Sequence, residues 1–179
     1  MSHSKSKVQN QTSDGSYELT SGSVEETQAL GRRLGQLVGP GDVIALHGEL
    51  GTGKTTLIQG FAEGLEVPMA SVKSPTFVLQ REYAGRARLI HIDAYRLDGP
   101  EQAAWLDTEL MFSPNAVTVI EWAERFGPLM PEDRLEAHLS HVSTNRRAIR
   151  LTATGPRSAE IVKKIGDASD SPRLSTEKK

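Results

Sequence analysis

The chain has 179 residues, of which 25% are charged, with a formal net charge of −2 and no cysteine. This length suits one domain with a proper core, and the near-neutral charge gives no reason to expect polyanion binding over the whole surface. The lack of cysteine excludes disulfides, thiolate catalysis and cysteine-based zinc sites. No run approaches the roughly 18 apolar residues of a membrane span, so we expect a cytoplasmic protein that does not bind membranes.

The two ends of the chain differ in composition from its middle. Residues 1–16 are polar and rich in Ser, Lys and Gln, which predicts a disordered tail. A second polar segment, rich in Ser, Pro, Lys and Asp, begins near Thr154, and we expect residues 154–179 to be disordered apart from transient helical turns in AEIVKKIG. The folded domain is therefore predicted over residues 17–153.

The first half of this domain has helix and strand signals in alternation. Ser23 and Glu26 form a capping-box pattern that predicts a helix ending at the Gly39-Pro40-Gly41 stop. The short apolar run VIAL at residues 43–46 is typical of a buried strand. Apolar residues at helical spacing then predict a helix over residues 54–65.

The second half adds strands that are joined by short connections. Alternating residues predict four strands and one apolar run predicts a fifth, over residues 76–83, 88–95, 116–122, 134–142 and 148–152. The first two and the last two are expected to form antiparallel hairpins, and a helix is predicted over residues 100–111. Helices interleaved with strands and hairpins indicate an α/β fold with a mixed central sheet.

One stretch, LHGELGTGKTT at residues 46–56, has the spacing of a phosphate-binding loop. Such a loop wraps backbone N–H groups around a phosphate at a helix N-terminus. Its lysine supplies charge to the β- and γ-phosphates, and its Ser or Thr hydroxyl binds Mg²⁺. Lys54 and Thr55 occupy these two positions, with a predicted strand before them and a predicted helix after them. The context predicts a nucleotide site in a P-loop NTPase-like, three-layer fold.

Two carboxylates end predicted strands, at the sheet edge where α/β proteins bind ligands. Asp93 closes LIHID and Glu121 closes VTVIE. One of the two is expected to reach the metal, and the other to position the attacking water or to act as a general base. Either assignment fits the sequence.

Other polar and aromatic residues give weaker signals. Ser74 and Thr76, just before a predicted strand, could approach the γ-phosphate, and Trp122 could cover the site. Arg147 could reach adenine or phosphate, and Trp105 is expected to pack in the core. His138 and His141 are three apart on one predicted strand and hence on opposite faces, so we expect no metal shared between them. His47 and His91 lie within strand segments, where a core or edge role is expected.

The motifs HGELGTGKTT, SPTF, HIDAYRL and IEWAER, in this order and spacing, closely resemble those of the bacterial TsaE (YjeE) family. The match covers residues 21–151. The resemblance implies a small P-loop ATPase that binds ATP and Mg²⁺ and is required for the threonylcarbamoyl modification of adenosine 37 in tRNA. It also implies that the protein acts with TsaB and TsaD, resets that complex by hydrolysis, and meets tRNA only through it.

The resemblance also implies roles for individual residues. The phosphates would be held by Leu50, Gly51, Thr52, Gly53, Lys54 and Thr55. Thr55 and Glu121 match the metal ligands of the family, and Asp93 matches an acidic residue that assists metal binding or hydrolysis. The remaining matches are the catalytic-site Thr76, the functionally important Trp122, and the nucleotide contacts Thr27 and Arg147.

Two other uses of a phosphate-binding loop compete with this interpretation. A small-molecule or nucleotide kinase would need an acceptor pocket and an arginine-bearing lid, and no inserted segment of that kind is visible in the sequence. A nucleotide-gated binding module would bind ATP without releasing phosphate.

Overall fold

The computed structural model describes residues 15–170, which form a mixed seven-stranded sheet with helices on both faces. The strands are β1 (Ser16–Ser21), β2 (Val43–His47), β3 (Gln80–Tyr83), β4 (Arg88–Asp93), β5 (Ala116–Glu121), β6 (Leu135–Ser143) and β7 (Arg146–Ala153). The helices are α1 (Val24–Leu37), α2 (Lys54–Gly64), α3 (Pro100–Ala103), α4 (Thr108–Met111) and α5 (Pro156–Asp170). The α/β prediction with a mixed, helix-flanked sheet is confirmed.

The strand order is β1-β7-β6-β2-β5-β4-β3. The four central strands, β6, β2, β5 and β4, run parallel. Strands β3 and β7 pair antiparallel with β4 and β6, and β1 pairs antiparallel with β7. Both predicted hairpins are present as β3–β4 and β6–β7. Because β2, β4 and β5 are parallel, their carboxyl ends meet at one edge of the sheet.

Two hydrophobic cores lie on opposite faces of the sheet. One contains side chains of α1, α2 and α5, and the other contains side chains of α3, α4 and the turns that follow β5. Within residues 15–170, no helix has both the length and the apolar character needed to cross a membrane.

The contact between α1 and α2 depends on glycine. A Cβ atom on Gly31 would lie 2.1 Å from the carbonyl oxygen of Leu57, and one on Gly60 would lie 2.0 Å from that of Gln28. Both distances are far below van der Waals contact, so only glycine permits this approach. The close contact fixes α2, whose first residue is Lys54, against α1.

Several predicted elements have different bounds in the structure. The strand predicted to start at Thr76 begins only at Gln80, because Leu79 has φ 66° and its N–H turns back to the carbonyl of Pro75. The helix predicted over residues 100–111 is two short helices separated by residues 104–107, and Asp107 caps the second. Trp105 lies between them and is 89% exposed, so the prediction that it packs in the core is wrong. Strand β1 was not predicted.

The prediction of a disordered C-terminal tail is wrong over residues 156–170. This segment is helix α5, and its Ile161, Val162 and Ile165 are buried in the core shared with α1 and α2. The carboxylate of Asp133 accepts hydrogen bonds from the first-turn N–H groups of Arg157 and Ser158, at 2.7 and 3.0 Å. The predicted tails over residues 1–14 and 171–179 lie outside the described residues.

Replacement of Ile165 by alanine tests whether α5 belongs to the core. We expect Ile165→Ala to lower the free energy of unfolding by about 2–5 kcal/mol, because it removes buried methyl and methylene groups. Urea unfolding followed by circular dichroism measures the change. The exposed Lys164 of the same helix provides the control, and Lys164→Ala should change the free energy by less than about 0.5 kcal/mol. Equal stability of the two variants would contradict the packing of α5.

Candidate functional site

The loop between β2 and α2 has the backbone form that a phosphate cradle requires. Gly48, Gly51 and Gly53 have φ values of 140°, 79° and 100°, which favour glycine. A Cβ atom on Gly48 would lie 2.4 Å from the carbonyl oxygen of Leu139, so the start of the loop has no room for a side chain. Helix α2 begins directly after Gly53, and its first N–H groups therefore face the loop.

The ammonium group of Lys54 lies inside this loop. Its Nζ donates hydrogen bonds to the carbonyls of Gly48 and Glu49, at 2.5 and 2.9 Å, and lies 4.1 Å from the ring centroid of Trp122. Burial lowers the pKa of Lys54, and the nearby carboxylates, Glu121 first, only partly offset this effect. The amine is thus a buried charge whose hydrogen-bond partners in the described part of the chain are backbone carbonyls.

A buried hydrogen-bonded chain joins α2 to β5 and β4. The hydroxyl of Thr55 donates to Glu121 at 3.1 Å, and Nε2 of His91 lies 2.9 Å from Oε1 of the same carboxylate. Nδ1 of His91 is buried without a hydrogen-bond partner in the described part of the chain. A buried N–H without an acceptor is costly, so the proton is assigned to Nε2, which donates to Glu121.

Asp93 lies beside Glu121 in the register of β4 and β5 and has its own set of donors. The hydroxyls of Ser74 and Thr76 donate to its Oδ2 at 2.6 and 2.5 Å, and the N–H of Tyr95 donates to Oδ1 at 3.0 Å. These contacts hold a carboxylate that is only 3% exposed. Thr76 was predicted to start a strand but lies in the loop before β3, and this loop brings its hydroxyl to Asp93.

Most of the predicted site residues line one pocket of about 380 Å³: Leu50, Gly51, Gly53, Lys54, Thr55, Thr76, Asp93, Glu121 and Trp122. A neighbouring pocket of about 280 Å³ shares Gly53 and Thr56 with the first and is lined also by Thr27 and Arg147. Thr52 lines neither pocket, since its buried hydroxyl donates to the carbonyl of Glu49 at 2.9 Å.

The second pocket is built from the N-terminus of α1 and the β6–β7 hairpin. Thr27 lies on the first turns of α1, and its hydroxyl is 2.7 Å from that of Ser21. Ser21 pairs with Arg147 across β1 and β7, which brings the arginine to the same pocket. Strand β1, absent from the sequence prediction, therefore links the two residues.

The donor set of the larger pocket fits a magnesium nucleotide. Mg²⁺ prefers oxygen ligands and is held in phosphate-transfer sites by one or two carboxylates together with substrate phosphates. Thr55 and Glu121 present such oxygens in contact with each other, and Asp93 presents another at the adjacent strand end. Lys54 and the N-terminus of α2 supply the positive charge for phosphate groups.

Two site residues have more specific positions than the sequence indicated. His91 was expected to have a core or edge role, yet it binds Glu121. It precedes Asp93 by two residues on one strand, so both side chains are on the same face. This H-x-D spacing at a strand end could have indicated the contact. Tyr95, whose ring centroid lies 5.1 Å from that of Trp122, has no comparable local signal.

A second polar cluster surrounds His47, on the other face of the sheet. Its Nδ1 lies 3.1 Å from Glu124, and its Nε2 contacts Glu136 of β6. Burial alone would lower the pKa of His47, but the hydrogen bonds to Glu124 and Glu136 and their charges outweigh it and raise the pKa to about 9. The imidazole ring of His138 stacks on that of His47, with centroids 4.4 Å apart.

Comparisons with known proteins point to one family. The family model described as "Threonylcarbamoyl adenosine biosynthesis protein TsaE" matches residues 21–149. A protein of Bacillus subtilis named tRNA threonylcarbamoyladenosine biosynthesis protein TsaE is 38% identical over 134 residues, which is 74% of this chain and 83% of the relative. The protein of that name from Streptomyces coelicolor is 41% identical over 132 residues, which is 70% of this chain and 88% of the relative.

A solved structure is similar over almost the whole described fold. The crystal structure of Bacillus subtilis YdiB has a TM-score of 0.74 and 29% sequence identity, and the match covers 87% of this chain and 97% of that one. The family model spans the phosphate-binding loop, both strand-end carboxylates and the Trp122 segment. On these grounds the chain belongs to the TsaE family.

Proposed function

We propose that the protein is a Mg²⁺-dependent ATPase of tRNA threonylcarbamoyladenosine biosynthesis. The observation that carries the proposal is the contact between Thr55, at the start of α2, and Glu121, at the end of β5, directly beside the buried amine of Lys54. The names of the relatives indicate the pathway. We further propose that the protein is cytoplasmic, acts with TsaB and TsaD, and meets tRNA through that complex.

The phosphates of ATP would bind in the loop before α2. Lys54 would exchange its hydrogen bonds to the carbonyls of Gly48 and Glu49 for bonds to the β- and γ-phosphates. Backbone N–H groups of residues 50–55 would donate to the same phosphates. Trp122 would keep the ammonium in place through its contact with the ring face.

The two carboxylates would have different roles. Thr55 and Glu121 would hold Mg²⁺, which when bound would neutralise charge on the phosphates. His91 orients the carboxylate of Glu121 through the hydrogen bond to Oε1 of that carboxylate. Asp93 would assist metal binding through water and orient the attacking water, with Thr76 and Ser74 holding the carboxylate at the pocket wall.

The nucleoside would occupy the smaller pocket. This pocket joins the phosphate pocket at Gly53 and Thr56. A nucleotide that spans both pockets would therefore place its phosphates at the phosphate-binding loop. Thr27 and Arg147 would contact the base or sugar from α1 and from the β6–β7 hairpin.

Low intrinsic turnover, stimulated by partner proteins, is part of the proposal. Leu50 lines the phosphate pocket and is 76% exposed, and Phe77, next to Thr76, is 84% exposed. Exposed apolar side chains at such a position are typical of protein interaction surfaces. A partner that covered them would exclude water and strengthen the electrostatic contacts inside the pocket.

Lys54→Ala tests whether the loop binds the phosphates of ATP. We expect this variant to lose most of its ATP affinity, because it removes the charge that would bind the β- and γ-phosphates. Isothermal titration calorimetry with ATP and Mg²⁺ measures the loss. Lys163→Ala, which removes an exposed lysine from α5, should bind like the unmodified protein. Full ATP affinity in Lys54→Ala would show that the nucleotide binds elsewhere.

Substitution of each carboxylate by its amide tests the catalytic assignment. We expect Asp93→Asn to lower kcat by about 10²–10⁴-fold, the usual contribution of a general acid–base group, while ATP binding is kept. Glu121→Gln should raise the Mg²⁺ concentration needed for half-maximal activity. Phosphate release at graded Mg²⁺ concentrations separates the two effects, and circular dichroism verifies the fold. Normal turnover in both variants would contradict the two-carboxylate assignment.

An ATPase assay with and without TsaB, TsaD and tRNA tests the function as a whole. Slow hydrolysis by the protein alone, accelerated when the partners are added, is the expected result. Brisk hydrolysis that the partners leave unchanged would exclude the proposed role. Transfer of the γ-phosphoryl group to a small-molecule acceptor in the same assay would instead identify a kinase.

A further inference from the structure

Three potential metal ligands lie on the face of the sheet opposite the phosphate site. His47 of β2 and His138 of β6 are paired in register, and Glu136 precedes His138 by two residues. Residues two apart on a strand share a face, so all three side chains project to the same side. One donor atom of each lies within 4.8 Å of the other two.

Neighbouring side chains orient these donors. Nδ1 of His47 is held by Glu124 at 3.1 Å, which directs Nε2 towards Glu136. Arg134 donates to Oε1 of Glu136 at 2.5 Å and leaves Oε2 on the side of His47. Metal-bound histidines usually have this arrangement, in which the second ring nitrogen donates to a carboxylate that fixes the ring.

The cluster is accessible from one side. His138 is exposed, whereas the side chains of His47 and Glu136 are only 18% and 12% exposed. A metal ion could therefore enter from solvent and keep a water molecule as its fourth ligand. In a tetrahedral zinc site with bonds of about 2.0–2.2 Å, the donors lie roughly 3.4 Å apart. The three donors lie within 4.8 Å of one another and the rings of His47 and His138 are stacked, so both imidazole side chains would have to rotate for their nitrogens to converge on one ion.

We propose that His47, Glu136 and His138 form a binding site for a divalent transition-metal ion, with Zn²⁺ as the best fit. Two imidazoles and one carboxylate with an open fourth position are a common zinc donor set, and imidazole favours Zn²⁺ over Mg²⁺. The ion would replace the proton between Nε2 of His47 and Glu136, while the Nδ1 proton would stay directed at Glu124. The site is distinct from the proposed magnesium site, which contains only oxygen donors.

Metal titration of the full-length, chelator-treated protein tests this site. Calorimetry with Zn²⁺ should show saturable binding, and Co²⁺ should give the visible absorption bands of a tetrahedral complex. We expect His138→Ala and Glu136→Gln each to weaken Zn²⁺ binding by about tenfold or more, since loss of even an outer-shell partner commonly costs 10–100-fold. Glu124→Gln should cause a smaller loss.

Two controls make the assignment specific. His141→Ala removes an exposed histidine from the same strand but outside the cluster, and Glu121→Gln alters the proposed magnesium site. Both should leave Zn²⁺ affinity unchanged. The proposal is overturned if Zn²⁺ shows no saturable binding, or if His138→Ala binds Zn²⁺ as tightly as His141→Ala does. It is also overturned if Glu121→Gln alone abolishes binding.

Discussion

The parallel pairing of β2, β5 and β4 is the constraint on which the candidate nucleotide site depends. Leu46 pairs with Glu121, and Glu121 pairs with Asp93, so the three strands end at the same level. The loop that leaves β2 therefore begins beside both carboxylates. Since these carboxylates are each only 3% exposed, they need partners, and Thr55, His91 and the Ser74–Thr76 turn provide them.

Strand β2 also joins the two polar clusters of the molecule. Its last residue, His47, contacts Glu124 and Glu136 on one face of the sheet, and the loop that follows contains Lys54 on the other. The segment after β5 connects the clusters a second time, because Trp122 lies over Lys54 and Glu124 binds His47. The two clusters therefore lie on the same two backbone segments, with their side chains on opposite faces of the sheet.

Local rules explain which elements could be predicted. The capping residue Ser23, the VIAL run and the glycines around Lys54 each act over a few residues, and the structure contains the corresponding helix, strand and loop. Helix α5 was missed because its apolar residues are few and its polar composition resembles that of a tail. The helix is stabilised by burial of its apolar side chains against α1, α2 and the sheet. A local sequence pattern does not show such long-range contacts.

Residue type and spacing along single segments were enough to predict the phosphate-binding loop, its lysine and hydroxyl, and the two strand-end carboxylates. The contacts of His91 with Glu121 and of Thr76 with Asp93, and the cluster of His47, Glu136 and His138, became visible only in the folded structure. These contacts join segments that are distant in the chain. Their partners are set by strand order and register, and the packing of the whole sheet fixes both.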